Sequence, residues 1–243
     1  LSPRFPVLSE EGKNIPFEER KMWEYFWLVD PLDGTKEFIR RNGEFTINIA
    51  LIHGSKPVVG LIYIPDRLTY YFAVEGGGAY KLVNDNIPVL QLPYADLLGK
   101  ATRLPVVSRK VQDGIPVTII GSRSHASQEF DEFTRAIKEK YPDVRILSAG
   151  SSLKFCLVAE GAADIYPRFG PTMEWDTAAG QCIVEESGGM VVAMPRKTLA
   201  YNKESLQNSA FVVLCCEPLL KDILRFHSQG EEHKEQKAPD RLH

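Results

Sequence analysis

Tyr25-Phe26-Trp27-Leu28-Val29-Asp30-Pro31-Leu32-Asp33-Gly34-Thr35 is the stretch on which both fold and chemistry turn. Its first five residues are aromatic or branched and read as a buried strand. Pro31 lacks a backbone donor and is expected to stop that strand. Asp30 and Asp33 then place two carboxylates at a strand end. Gly34 allows a tight backbone, and Thr35 is positioned to cap the next element. Lys36-Glu37-Phe38-Ile39 reads as a first helical turn. Crowded carboxylates repel, which is costly unless a cation lies between them. Oxygen-only ligands suit a hard cation, magnesium before zinc, and free amides at a helix start suit a phosphate. On these residues alone, a metal-plus-phosphate site and an ordinary Asp-Pro turn before a capped helix fit equally well.

The chain has 243 residues, enough for one large core or two small ones. Its 44% apolar and 25% charged residues are ordinary for a globular protein. A net charge of −3 gives no support to a nucleic-acid-binding surface, though a local charge cluster can still hold a small anion. Cys156, Cys182, Cys215 and Cys216 lack CxxC spacing and read as free thiols in a reducing compartment, so a cytoplasmic protein is expected. No apolar run approaches ~18 residues, so no transmembrane segment is expected. Peripheral membrane association stays open. Leu1 opens the chain close to a charged motif, so preceding N-terminal residues are expected.

Residues 5–8 read as a short strand ending at Ser9-Glu10-Glu11-Gly12, a second acidic pair. Residues 45–52, 57–64, 69–74 and 79–82 are strand-like and joined by tight turns, an antiparallel meander. Residues 84–105 are weakly patterned, and the change of domain is placed there. Further on, strands near 117–120, 144–147, 164–166, 190–193 and 210–214 alternate with helices near 129–140, 153–160, 176–187 and 218–226. The fold class is therefore α/β (α+β): a meander half, 1–105, an α/β half, 106–227, and a polar tail, 228–243, read as solvated. The third acidic element is Glu174-Trp175-Asp176-Thr177-Ala178-Ala179-Gly180. Asp176 at a helix start is a metal ligand or a plain N-cap, and the small residues after it permit close packing of another backbone.

Taken together, Leu8-Ser9-Glu10-Glu11, Trp27 to Thr35, and Trp175 to Gly180 stand in the order of the inositol monophosphatase superfamily, which the chain resembles from about Leu8 to Leu214. Within it, Asp33-Gly34-Thr35-Lys36-Glu37-Phe38, Arg41 to Thr46, Ser122-Arg123-Ser124-His125, Gly150 to Cys156 and Tyr166 to Pro171 are similar to the 3'(2'),5'-bisphosphate nucleotidases, most closely the bacterial CysQ type. Inositol monophosphatases usually carry threonine and asparagine where Lys36 and Glu37 stand. The resemblance implies a layered α-β-α-β-α sandwich of the sugar-phosphatase type, with N-terminal helices before Leu1. It also implies a magnesium-dependent, lithium-sensitive phosphatase.

By motif, Glu10, Asp30, Asp33 and Asp176, with the Leu32 carbonyl, would hold two or three magnesium ions. Glu10, Asp33 and Thr35 would be the catalytic groups, and the amides of Gly34 and Thr35 would meet the transferred phosphoryl group. In the family, the threonine works with an acid upstream of the Ser-Glu-Glu motif. Nothing acidic precedes Glu10 here, so the base is expected either before Leu1 or at Glu10 or Glu11. His125, Ser151, Ser152, Lys154 and Arg168, with Asp176, would bind the rest of the substrate. Their ordinary alternatives are a surface histidine, a helix cap and a surface arginine.

The implied reaction releases the 3'-phosphate of adenosine 3',5'-bisphosphate as inorganic phosphate and leaves AMP, clearing a by-product of sulfate assimilation. The partner is a small phosphorylated nucleotide, and a monomer is slightly favoured. A sulfated adenylate or an inositol (poly)phosphate substrate stays open, as does a non-catalytic nucleotide or phosphate sensor.

Overall fold

The computed structural model describes residues 4–83, 93–105, 115–122, 127–194, 198–221 and 223. The polar tail and His125 lie outside them. A first sheet is built from β1 (Val7–Ser9), β2 (Tyr25–Asp33), β3 (Thr46–His53), β4 (Lys56–Ile64), β5 (Thr69–Val74), β6 (Gly78–Val83) and β7 (Thr102–Arg103), paired in that order. Short helices α1 (Phe17–Arg20), α2 (Thr35–Arg40) and α3 (Tyr94–Lys100) interrupt it. The expected meander is present from β2 to β7, but β1 pairs with β2 in parallel. Residues 84–105, read as weakly patterned, contain α3 and β7. Both elements are short, and seven and two residues carry too little periodicity to read.

The second sheet has the order β11-β12-β10-β8-β9, from β8 (Val117–Ser122), β9 (Val144–Ala149), β10 (Ile165–Arg168), β11 (Met190–Ala193) and β12 (Phe211–Leu214). Helices α4 (Gln128–Lys140), α5 (Leu153–Ala159) and α6 (Glu174–Glu186) alternate with these strands. β8, β9 and β10 are parallel, and β12 runs against both its neighbours. The mixed α/β class expected from the sequence holds.

One apolar core joins the two sheets. Phe26, Ile52 and Ile62 from the first, Phe155, Cys182 and Ile183 from α5 and α6, and Tyr166, Phe211 and Val213 from the second belong to it. Each fully buried aliphatic or aromatic side chain contributes about 1.5–3 kcal/mol. This seam therefore holds α6 in place far more strongly than helix propensity does. A smaller cluster on the other face of the second sheet packs Phe133 and Ile137 of α4 against Val117 and Ile119. The layers thus run sheet, α5 with α6, sheet, α4. A Cβ on Gly60 of β4 would stand 2.5 Å from the Ala179 carbonyl, so the small residues of α6 admit another backbone, as their sequence suggested.

Pro31 does not end β2. Pairing steps from Asp30↔Asn48 to Asp33↔Thr46, so Pro31 and Leu32 oppose Ile47 alone. This is a β-bulge, where proline's missing donor costs nothing. The bulge also decides which way the acids face. In a regular strand, residues three apart point to opposite faces. The inserted residue cancels that offset, and Asp30 and Asp33 face the same side, opposite inward-facing Asn48 and Thr46.

Candidate metal and phosphate site

Three elements deliver carboxylates to one place. Asp30 and Asp33 come from the bulge of β2 and Asp176 from the first turn of α6. Each offers an oxygen within 4.8 Å of the others. Asp176 is not the N-cap. Met173 takes that position, and Asp176, at the third helical residue, accepts from the Met173 N–H at 2.8 Å. Buried Glu174 accepts from the amides of Asn202 and Lys203 and from the Lys203 ammonium, which ties the start of α6 to the 202–203 loop.

Every member of the trio has one oxygen committed to the protein. An Asp30 oxygen accepts from the Leu32 N–H at 2.9 Å. Asp33 Oδ2 accepts from the Ser152 N–H and hydroxyl at 2.7 and 2.8 Å, and at 3.3 Å from both Thr46 and Asn48. Charge repulsion is visible in the titration of the set. Burial, then Asp33, Glu10 and Asp176, push Asp30 up to about 8 despite the Leu32 hydrogen bond. Burial, then Asp33 and Glu10, push Asp176 up to about 7. An all-oxygen set that is hard to ionise unaided fits a small divalent cation.

Glu10 lies beside this trio without joining it. Its amide donates to the Val29 carbonyl at 3.2 Å, which aligns it with the end of β2. Its side chain is exposed, and its charge is felt at both Asp30 and Asp176. Thr35 is not a cap. Gly34 is the N-cap of α2, in the left-handed conformation, and Thr35 is the first helical residue. Gly34 is required there twice over, because φ is +90° and a Cβ would fall 1.9 Å from Ser151 Oγ.

A cavity of about 280 Å³ opens beside the trio, lined by Asp33, Gly34, Thr35, Ser151, Ser152, Lys154, Arg168 and Asp176, with Phe155, Tyr166 and Phe211 as apolar wall. Asp30, Leu32 and Glu10 stand outside this lining. Ser151, at φ +47°, donates to the Asp33 carbonyl at 2.8 Å. The Ser152 hydroxyl lies 3.0 Å from the Asp176 carbonyl as well, so its one proton has an acceptor on two of the three acids. The Lys154 ammonium donates to the Ser151 carbonyl at 2.6 Å, and burial lowers its pKa to about 8. Arg168 donates to the Pro171 carbonyl at 3.0 Å, and its buried Nε has no hydrogen-bond partner among the described residues.

Three residues of this site received no role from the sequence, although Glu44 and Thr46 lie in the Arg41 to Thr46 motif. Asn48 donates to Ser152 Oγ at 2.9 Å, Thr46 donates to the Asn48 side-chain oxygen at 3.0 Å, and Glu44 accepts from the Gly150 N–H at 2.8 Å. Thr46 and Asn48 share the inward face of β3 with Ala50 and Ile52. Polar residues at inward positions of an otherwise apolar strand are a readable signal.

Two acids at the end of β2 and one in the first turn of α6, beside a cavity that Lys154 and Arg168 line, form an arrangement suited to a metal ion and a phosphate. The inositol monophosphatase family model matches residues 1–223, and the chain belongs to that family. Among curated proteins, it is 45% identical over 217 residues to the 3'(2'),5'-bisphosphate nucleotidase CysQ of Salmonella typhimurium, covering 88% of this chain and 77% of that one. It is 44% identical over 217 residues to the protein of the same name from Escherichia coli K12, with the same coverage. Among solved structures, CysQ from Bacteroides thetaiotaomicron superposes with a TM-score of 0.82 at 45% identity, over 89% of this chain and 79% of that one. An inositol monophosphate-bound SaIMPase-II shares the fold, with a TM-score of 0.71 at 22% identity, over 97% of this chain and 81% of that one. Among the described residues, no helix is long and apolar enough to cross a membrane.

Proposed function

We propose that this protein is a magnesium-dependent 3'(2'),5'-bisphosphate nucleotidase that hydrolyses adenosine 3',5'-bisphosphate to AMP and phosphate and so clears a by-product of sulfate assimilation. The observation that carries this reading is the convergence of Asp30, Asp33 and Asp176 beside a cavity holding Lys154 and Arg168. The identity to bisphosphate nucleotidases of that name supports it. Magnesium bound by the trio, with Glu10 and the Leu32 carbonyl as further ligands, would supply Lewis-acid activation of the phosphoryl group and of a water.

The chain's own groups divide the remaining work. Residues 1–105 bring Asp30, Asp33, Gly34 and Thr35, the reacting end of the site. Residues 106–227 bring Ser151, Ser152, Lys154 and Arg168, and by motif His125, to the rest of the nucleotide. Gly34 and Thr35 present backbone amides to the transferred phosphoryl group, and the Thr35 hydroxyl holds the attacking water. Glu10 or Glu11 would take its proton, unless an acid outside this sequence does. Arg168, with an uncommitted Nε, and Lys154 meet the second phosphate. Phe155, Tyr166 and Phe211 supply the apolar wall that a nucleoside needs.

The test is phosphate release by the full-length protein from adenosine 3',5'-bisphosphate and from inositol monophosphate, with and without magnesium. The reading expects magnesium-dependent, lithium-inhibited release from the nucleotide. Release from inositol monophosphate in preference to the nucleotide would overturn the substrate assignment. Tight nucleotide binding without turnover would identify a sensor instead.

A further inference from the structure

Cys215 and Cys216 follow β12 at the end of the second sheet remote from Arg168, since Leu214 pairs with Ile165 and Phe211 with Arg168. Neighbours in a strand point to opposite faces. Here the strand ends at Leu214 and the chain bends, and the two sulfurs lie 3.6 Å apart, in van der Waals contact. The Cys215 N–H donates to the Asp164 carbonyl at 3.0 Å, and its thiol points at the Asp164 carboxylate at 3.6 Å. That carboxylate also accepts from the Thr118 N–H at 2.7 Å, so the pair is set on a fixed base. Both thiols are partly buried, whereas Cys156 and Cys182 are fully enclosed in the core.

We propose that Cys215 and Cys216 form a two-thiol chelating site for a thiophilic centre of the trivalent-arsenical class. The geometry favours a bridging atom over a direct sulfur–sulfur bond. The Cα atoms of adjacent residues are held about 3.8 Å apart, below the ~4.4 Å at which disulfides begin. Two bonds of about 2.3 Å from one pyramidal centre, at an angle of about 100°, span roughly 3.5 Å, close to the 3.6 Å present. The protonation state agrees. Burial, then Cys216 and the Asp164 carboxylate, push the Cys215 thiol pKa up, which disfavours the thiolate that disulfide exchange needs. Condensation with an arsenic–oxygen group needs no free thiolate. Both arsenic–oxygen bonds are replaced by arsenic–sulfur bonds, the two thiol protons leave with the oxygen as water, and no electrons are transferred.

The probe is phenylarsine oxide, added to the native full chain and followed by intact mass and thiol titration. The expected result is one phenylarsenic group per chain and the loss of two titratable thiols. The adduct should map to the segment bearing Cys215 and Cys216, survive a monothiol wash and be removed by a dithiol. Cys216→Ser and Cys215→Ser, each checked for native circular dichroism and magnesium-dependent phosphatase activity, should bind at least tenfold less under the same wash. An adduct that a monothiol removes, that maps to Cys156 or Cys182, or that persists in both folded variants would overturn the assignment.

Discussion

Ser152 holds Asp33 twice, its backbone N–H and its hydroxyl both donating to one carboxylate oxygen at 2.7 and 2.8 Å. The two residues are 119 positions apart, Asp33 at the end of β2 and Ser152 at the N-cap of α5. The hydroxyl also reaches the Asp176 carbonyl and accepts from Asn48, so it sets the position of one acid relative to another. Partners that orient a metal ligand commonly matter nearly as much as the ligand itself.

Ser152→Ala removes the hydroxyl and leaves the N–H in place. The magnesium concentration for half-maximal phosphate release is expected to rise about 10–100-fold. The nucleotide KM, measured at saturating magnesium, should change little. An unchanged magnesium dependence would remove Ser152 from the positioning role.

Gly34→Ala forces a Cβ to within 1.9 Å of Ser151 Oγ at a backbone φ of +90°. Either Ser151 releases the Asp33 carbonyl or the backbone shifts. A stability loss of about 1–3 kcal/mol is expected, read as a lower Tm, together with loss of most phosphatase activity. Adding Ser151→Ala should recover part of the lost Tm, because the clash goes with the hydroxyl.

The acids make the metal-free protein sensitive to pH in a stated direction. Asp30 and Asp176 titrate near 8 and 7 in the folded chain and near 3.8 as free side chains. The folded state therefore binds more protons than the unfolded state between about pH 4 and 8. Their contribution to stability is fully present below the unfolded value and is lost as pH rises through 7 and 8. Without magnesium, Tm should fall between pH 6 and pH 8.5. Magnesium should raise Tm more at pH 8.5 than at pH 6, because cation binding displaces those protons. Thermal denaturation at the two pH values, with chelator or with magnesium, reads both effects.

Lys154 is a buried cation in the cavity wall, beside Arg168. Lys154→Met keeps much of the apolar stem and removes the charge. A lost hydrogen bond to a charged group costs about 1.5–3 kcal/mol, so KM for adenosine 3',5'-bisphosphate should rise about 10–100-fold with kcat little changed. Steady-state kinetics separate the two. A fall in kcat at constant KM would place Lys154 in the chemical step instead.

Much of this architecture was legible because its signals are local. The buried strand at Tyr25, the hairpins from Thr46 to Val74 and the small face of α6 follow from alternation and residue size. The acids of the site were legible as motifs. The bulge was not, since Pro31 reads as a stop from sequence and becomes an insertion only when Ile47 is seen opposite Pro31 and Leu32. The cap of α2 was misassigned because Gly34 takes a left-handed conformation under Ser151, a contact across 117 positions that no local pattern carries. Glu44 and Asn48 were given no role for the same reason, as their partners Gly150 and Ser152 lie more than a hundred positions away, in the turn between β9 and α5.

The most direct measurement is anomalous diffraction from a crystal of the full-length protein soaked in manganese as a magnesium substitute. The peak should lie among Asp30, Asp33 and Asp176, with carboxylate oxygens at about 2.0–2.2 Å, and vanish in Asp33→Asn crystals that keep the native fold. Manganese bound elsewhere, in a protein that still hydrolyses the nucleotide, would contradict the account.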